Sequence, residues 1–160
     1  MNRFFAALIA LVFAVPATAQ TNINLGGIAA DPSAPVEVTA DNLNVDQDTG
    51  SAVFSGNVVI GQGDLRLSAP SVQVTYAADS GDITRLQATG GVTFATATEA
   101  AEAQSADYNL ASGLLTLNGD VLLTQGQSAL SADSMVLDLN AGTAQMNGRV
   151  RTVFQQDGNN

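Results

Sequence analysis

The chain has 160 residues, a net charge of −10 at pH 7, and no cysteine, histidine or tryptophan. All of its basic residues are arginines, so lysine is absent as well. Ser-His-Asp, Cys-His and Ser-Lys nucleophilic systems and a P-loop are therefore excluded, and a zinc site is strongly disfavoured. The acidic charge argues against nucleic-acid binding, which needs a basic surface. Only carboxylate chemistry remains open, no carboxylate pair stands out, and we expect neither a cofactor nor a metal.

Residues 1–19 have the pattern of a cleaved secretory signal peptide. Arg3 supplies the positive start, residues 4–15 are apolar, and Ala17-Thr18-Ala19 matches a small-residue cleavage pattern. The apolar run is too short to cross a bilayer comfortably, although an uncleaved anchor is the alternative. We expect the mature chain to begin at Gln20.

The rest of the chain divides into three predicted segments. Residues 20–35 are rich in Asn, Gly, Ala and Pro and are predicted to be a flexible linker. Residues 36–154 are predicted to form one folded domain, which is long enough for its own core. The polar residues 155–160 are predicted to be a disordered tail.

The predicted domain contains a repeat of roughly 30 residues, which indicates stacked β units. Each unit has a turn glycine, at Gly50, Gly81, Gly113 and Gly142. A second glycine follows each of them in a Gly-x-Val step, at Gly56, Gly90, Gly119 and Gly148, with a Gly-Gly pair in the second unit. Ahead of each turn stand small residues that we interpret as strand starts, at 39–41 (TAD), 68–70 (SAP), 105–107 (SAD) and 131–133 (SAD).

Apolar and polar residues alternate between these turn glycines and small-residue segments, which we call marks. The alternation predicts strands with one apolar and one polar face. Val72, Val74 and Tyr76, for example, alternate with polar residues. Such strands suit antiparallel sheets, and two sheets packed face to face give a sandwich or a jelly roll. Residues 98–105 (TEAAEAQS) are locally helical in composition, but a helix of that length is marginal, so we expect a strand or a loop there.

Two features allow a functional and a structural interpretation. Asp46, Asp48 and Gly50 resemble the start of a calcium loop, but Gly50 and Asn57 stand where an EF-hand needs an oxygen ligand and a glutamate. A hairpin turn with Asp side chains bonded to the backbone is therefore favoured. The apolar strand faces form either a filled core or an open groove for an apolar ligand, and the alternation by itself favours the core.

Six segments of the predicted domain carry a family resemblance: 36–41 (VEVTAD), 54–63 (FSGNVVIGQG), 65–69 (LRLSA), 106–108 (ADY), 117–121 (LNGDV) and 132–133 (AD). Together they resemble the OstA-like family of lipopolysaccharide-transport proteins, which includes LptA, LptC and the N-terminal part of LptD. The resemblance implies an all-β fold, an open twisted β-jelly roll of antiparallel strands. It also implies a non-enzymatic periplasmic carrier that shields the acyl chains of lipid A in an apolar groove. The cleavable leader and the absence of a long barrel favour an LptA-like member.

The resemblance further implies a set of groove residues: Val36, Val38, Phe54, Val58, Ile60, Leu67, Val74, Phe94, Leu117, Leu123 and Leu137. The implied partners are lipopolysaccharide, an LptC-like inner-membrane protein, an LptD-like outer-membrane protein and further copies in a head-to-tail homo-oligomer. Val36 and Val38 would lie at the N-terminal partner edge, and Val150 and Val153 at the C-terminal one. The resemblance also implies a more basic surface, because family members often carry more basic residues, whereas this chain is acidic and has no lysine. Only Arg66 and Arg85 could grip a lipid phosphate.

Three alternatives remain open from the sequence. The first is a structural or adhesive β-repeat protein of the cell envelope with a filled core. The second is a glycan hydrolase that works with carboxylates. The third is an LptC-like component that retains its leader as a membrane anchor.

Overall fold

The computed structural model describes residues 22–24, 31 and 33–153 of the chain. Their strands form one sheet with antiparallel pairing throughout, and these residues contain no helix, hence none that could cross a membrane. In chain order the strands are β1 (Asn22–Asn24), β2 (Val36–Thr39), β3 (Asn42–Asp46), β4 (Ser51–Gln62), β5 (Leu65–Tyr76), β6 (Ile83–Ala95), β7 (Glu99–Asn109), β8 (Leu114–Gln125), β9 (Ser128–Asp138), β10 (Thr143–Asn147) and β11 (Arg151–Val153). The predicted all-β fold is confirmed. The predicted leader and tail, most of the predicted linker, and Phe154 lie outside the described residues.

The long strands β4 to β9 each take part in two layers. Each pairing shifts register near the middle of the strands, between Ser55 and Val58 in β4 and between Asn118 and Val121 in β8, for example. Such an irregularity bends a strand, so its two halves continue in different directions. The β5–β6 pairing has a second irregularity at Thr75 and Tyr76. The first layer contains β3, β10, β1 and residues 51–55, 71–76, 83–89, 105–109, 114–118 and 134–138. The second layer contains β2, β11 and residues 58–62, 65–69, 92–95, 99–103, 121–125 and 128–132.

The Gly-x-Val steps of the sequence are the corners where the strands bend. Gly119 and Asp120 have φ angles of 82° and 46°, two left-handed residues in succession. A Cβ on Gly119 would lie 2.7 Å from Cδ of Gln104 in the neighbouring strand. Glycine is the residue that adopts this conformation without strain and leaves room for the neighbour. The corners at Gly56, Gly90 and Gly148 likewise have two successive positive φ angles.

The small-residue marks lie beside these corners rather than at the starts of strands. The backbone N–H groups of Asp41 and Asp133 donate to the carbonyl oxygens of Gly56 and Gly148, each at 2.9 Å. The mark at 131–133 lies inside β9, so its interpretation as a strand start was wrong. These two hydrogen bonds satisfy corner carbonyl groups that would have no partner in a regular ladder.

The segment of helical composition belongs to β7 from Glu99 onward. Glu99 and Ala101 are buried and the residues between and after them are more exposed, which is the two-residue period of a strand. The Glu99 carboxylate accepts hydrogen bonds from the hydroxyl groups of Thr96 and Thr98, at 2.6 and 2.5 Å. It also accepts one from Nε2 of Gln125 at 3.0 Å. Pairing with both neighbours therefore overrides the local helix propensity.

The Asp46 carboxylate stabilises a hairpin turn. Its Oδ1 accepts the backbone N–H groups of Asp48 and Thr49, at 2.9 and 3.2 Å. These bonds, that of Thr49 first, lower the pKa of Asp46 below its usual value. This is the side-chain-to-backbone bonding that the turn interpretation predicted.

We predict that Gly119→Ala destabilises the protein more than Gly126→Ala does. Both glycines have a positive φ, but a Cβ would meet Gln104 only at Gly119, since Gly126 has open space around it. The left-handed conformation alone should cost Gly126→Ala about 1–2 kcal/mol, and Gly119→Ala should lose more than that. Urea titration of both variants measures the difference. Equal losses at the two positions would show that the corner needs no close approach.

Candidate functional site

The predicted groove residues all point to the space between the two layers. Val58, Ile60, Leu67, Val74, Phe94, Leu117, Leu123 and Leu137 are buried, none with more than 4% of its surface exposed. Val36, Val38 and Phe54 are half-buried and pack against the same core. In this structure the interior positions are therefore occupied by side chains that contact one another.

The inward residues form apolar rows that run across the strands, and the row of the second layer ends at Leu130 because Thr152 of β11 lies opposite it. One row of the second layer comprises Val38, Ile60, Leu67, Phe94, Ala101, Leu123 and Leu130, each directly opposite the next. The first layer has a row of Leu43, Phe54, Val72, Ala88, Ala106, Leu117, Met135 and Met146. Beside it runs a row of Val45, Ala52, Val74, Leu86, Tyr108, Leu115, Leu137 and Ala144. Apart from the phenolic oxygen of Tyr108, no side-chain polar atom interrupts these rows.

Two rows of the first layer end on exposed side chains. Leu43 and Val45 share the face of Phe54 and Ala52, yet they are 56% and 58% exposed. The prediction from sequence did not include them, because their short strand shows the alternation too briefly to assign a face. Their cross-strand register with Phe54 and Ala52 is the observation that places them on the inner face.

One buried hydrogen bond joins the two layers on the side away from the corners. Tyr108 Oη in the first layer donates to Gln62 Oε1 in the second at 3.2 Å. Nε2 of Gln62 also donates to the carbonyl of Ala34 at 3.2 Å. Burial raises the pKa of Tyr108, which therefore keeps its proton and remains a donor. The pair closes a narrow crevice that is otherwise lined by Val36, Ile60, Leu65, Leu67, Leu86, Leu115 and Leu139.

The predicted partner edges lie at opposite ends of the sheet. Val36 and Val38 belong to β2, which among the described strands pairs only with β4. Val153 ends β11, which pairs with β9 on one side. Val150 precedes β11 and lies outside the strand. Val150 and Val153 are both about half exposed.

The arginines differ in whether a carboxylate neutralises their charge. Arg85 forms an ion pair with Asp107, and Arg149 forms one with Asp133. The hydrogen bond and charge of Asp107 raise the pKa of Arg85, which shows how well the cation is compensated. Within the described part of the chain, Arg66 has no carboxylate partner and donates to the carbonyl groups of Gly63 and Leu65 at 2.6 and 2.8 Å. Of the two arginines predicted to grip phosphate, only Arg66 therefore keeps an uncompensated charge.

Comparison with known proteins yields two sequence relatives. An uncharacterized protein of Rhizobium meliloti is 28% identical over 158 residues, covering 91% of this chain and 85% of that protein. The lipopolysaccharide export system protein LptA of Haemophilus influenzae is 29% identical over 135 residues, covering 78% of each chain.

A solved structure matches the fold of this chain, and a family model matches its sequence. The crystal structure of LptH, the LptA homologous periplasmic component of the lipopolysaccharide transport device of Pseudomonas aeruginosa, superimposes with a TM-score of 0.71. The match covers 79% of this chain and 99% of that structure at 19% identity, and it confirms the predicted open jelly-roll fold. The model of the family described as LptA/(LptD N-terminal domain) LPS transport protein matches residues 37–143. The chain therefore belongs to the LptA/LptD N-terminal domain family of lipopolysaccharide-transport proteins.

Proposed function

We propose that this protein is a periplasmic carrier of lipopolysaccharide that shields the acyl chains of lipid A between its two layers. The observation that carries the proposal is the set of apolar rows that cross all of the long strands β4 to β9. An ordinary core needs apolar residues near its centre only, whereas these rows continue to the exposed Leu43 and Val45 at one edge. A trough that is apolar to its rim suits a ligand that has to enter or pass on.

The energetics of lipid transfer explain why such a trough is sufficient. Burying one CH₂ group is worth about 0.8 kcal/mol, so several acyl chains exposed to water would cost tens of kcal/mol. A carrier removes this cost without any chemical step, and we assign the protein no enzymatic role. The energy for directional movement has to come from another component.

Lipid entry requires the two layers to separate, because the interior is filled in this structure. The corners join the layers along one side, and the opposite side is held by packing and by the Tyr108–Gln62 hydrogen bond. Apolar side chains that part from one another can be covered by acyl chains at little net cost, since one apolar contact replaces another. The hydrogen bond is the contact that acyl chains cannot replace.

The ends of the sheet supply the surfaces for a bridge between the inner and outer membranes. β2 and β3 form the N-terminal end, and β10 and β11 belong to the C-terminal end. Unpaired strand edges can receive a strand from a partner. We assign the N-terminal end, with Val36 and Val38, to an LptC-like protein. The C-terminal end, with Val150 and Val153, is assigned to an LptD-like protein or to the next copy in a head-to-tail oligomer.

Photocrosslinking tests the groove. A photoreactive phenylalanine analogue placed singly at Val38, Phe54 or Phe94 should form adducts with lipopolysaccharide in cells. The matched control is Thr93, the neighbour of Phe94 on the exposed face of β6, where no adduct is expected. Folding of each variant is checked by circular dichroism. If well-folded variants give no adduct at any inward position, the protein has a permanently filled core and is better described as a structural envelope protein.

The hydrogen bond between the layers gives a second test. Replacing both partners, Gln62→Leu with Tyr108→Phe, removes a contact that the open state loses. Apolar replacement of both partners is close to neutral for the closed state, since the Ala34 carbonyl that loses Nε2 of Gln62 belongs to a half-exposed residue and can accept from water. Affinity for lipopolysaccharide should therefore rise by about tenfold. Isothermal titration with purified lipopolysaccharide measures it. The single variant Tyr108→Phe is the control, because it leaves a buried Gln62 oxygen unsatisfied and lowers stability by about 1–3 kcal/mol. Unchanged or weaker binding by a stable double variant would mean that the layers do not part at this point.

Salt dependence distinguishes acyl burial from phosphate binding. The chain carries a net charge of −10 and the ligand is anionic, so they repel each other. Raising the ionic strength from about 0.01 to about 0.15 M screens the repulsion and should tighten binding. A neutral diacyl lipid is the control and should respond much less. Binding of lipopolysaccharide that weakens with salt would indicate that Arg66 and other cations hold the phosphates.

A further inference from the structure

β1 lies at the end of the sheet opposite to its neighbour in sequence, β2. It pairs antiparallel with β10, with Ile23 opposite Ala144, and so forms the C-terminal edge of the first layer. β2 forms the N-terminal edge of the second layer. The N-terminal part of the chain therefore contributes a strand to each end of the sheet.

A second copy of the chain could place beside β10 a strand that runs in the same direction as β1. Neighbouring strands of the first layer are antiparallel from β3 through to β10. β3 therefore runs opposite to β10, and the β3 of a second copy placed beside β10 would pair antiparallel with it. β1 already makes this pairing, so β1 and an incoming β3 need the same backbone groups of β10.

We infer that β1 is a built-in cap that competes with a second copy of this chain for the β10 edge. The inference rests on the proposed head-to-tail oligomer and adds a control to it. While β1 is in place, growth of the oligomer can use only β11 of the second layer, which has no outer partner among the described strands. Displacement of β1 opens the whole C-terminal end.

The dimensions of the cap suit displacement. β1 pairs through three residues, whereas β3 spans five, so an incoming strand offers the longer ladder. In its favour, β1 is tethered to the same chain, and a tethered segment competes at an effective concentration of about millimolar. The cap should therefore hold at low protein concentration and yield when copies are concentrated or held in place by a partner.

The uncapped form can be made in the otherwise intact mature chain. Asn22→Pro, Ile23→Pro and Asn24→Pro together remove every N–H donor of β1. The matched control, Asn22→Ala, Ile23→Val and Asn24→Ala, keeps the donors. In light scattering over a concentration series without lipid, the proline variant should assemble at a concentration about tenfold lower than the control or the unchanged chain. A synthetic peptide of residues 20–30 should return it to the monomer, and a scrambled peptide should not.

The locked form uses the absence of natural cysteines. Asn24→Cys with Thr143→Cys links two directly opposed positions of β1 and β10. The oxidised protein should remain monomeric at concentrations where the reduced protein assembles, and the two single-cysteine variants exclude disulfides between chains. Assembly of the oxidised form at the same concentration as the reduced form would overturn the inference. So would a folded proline variant that assembles no more readily than its control.

Lipopolysaccharide binding by the same variants separates this inference from the proposed function. The locked monomer should bind lipopolysaccharide as the unchanged chain does, because its groove is intact. Loss of assembly with binding retained supports the cap. Absence of binding in every variant, including the unchanged chain, would refute the carrier role, while the assembly data would still decide whether β1 competes for β10.

Discussion

The structure depends on bending one antiparallel sheet back over itself at the Gly-x corners. Two successive left-handed residues at each corner turn the strand, and the adjoining side chains of Asp41, Gln104 and Asp133 occupy the space that a Cβ would need. Because the strands β4 to β9 contribute to both layers, the corner recurs in every second strand, in β4, β6 and β8, and again after β10. The glycines that repeat in the sequence include those that form these corners.

A sheet folded in this way keeps its edges. A closed barrel removes edges by pairing the first strand with the last, and most soluble proteins cover or charge those that remain. Here the polar rows of the strands face outward, and the apolar rows of the first layer run to the N-terminal edge at Leu43 and Val45, whereas the row of the second layer ends at Leu130.

The acidic surface limits the ways in which the protein can recognise its ligand. Two of the arginines are compensated by aspartates, and an anionic lipid gains little from the remaining cations. Under the proposed carrier function, burial of acyl chains is the main source of affinity, and the Tyr108–Gln62 pair is the polar contact that a separation of the layers would break. The same negative charge makes copies of the chain repel one another.

The sequence by itself determined the all-β class, the turns and the inward faces. Glycines at a fixed period and the alternation around Ile60, Leu67 and Val74 are local patterns, and each can be interpreted within a few residues. The tertiary structure alone decided which residues meet across strands and layers. The strand at Glu99, the pairing of Tyr108 with Gln62, the exposed inner face of Leu43 and the position of β1 on β10 all depend on partners far away in the chain. Such contacts arise from how the sheet bends and aligns, and a single sequence shows no local pattern for them.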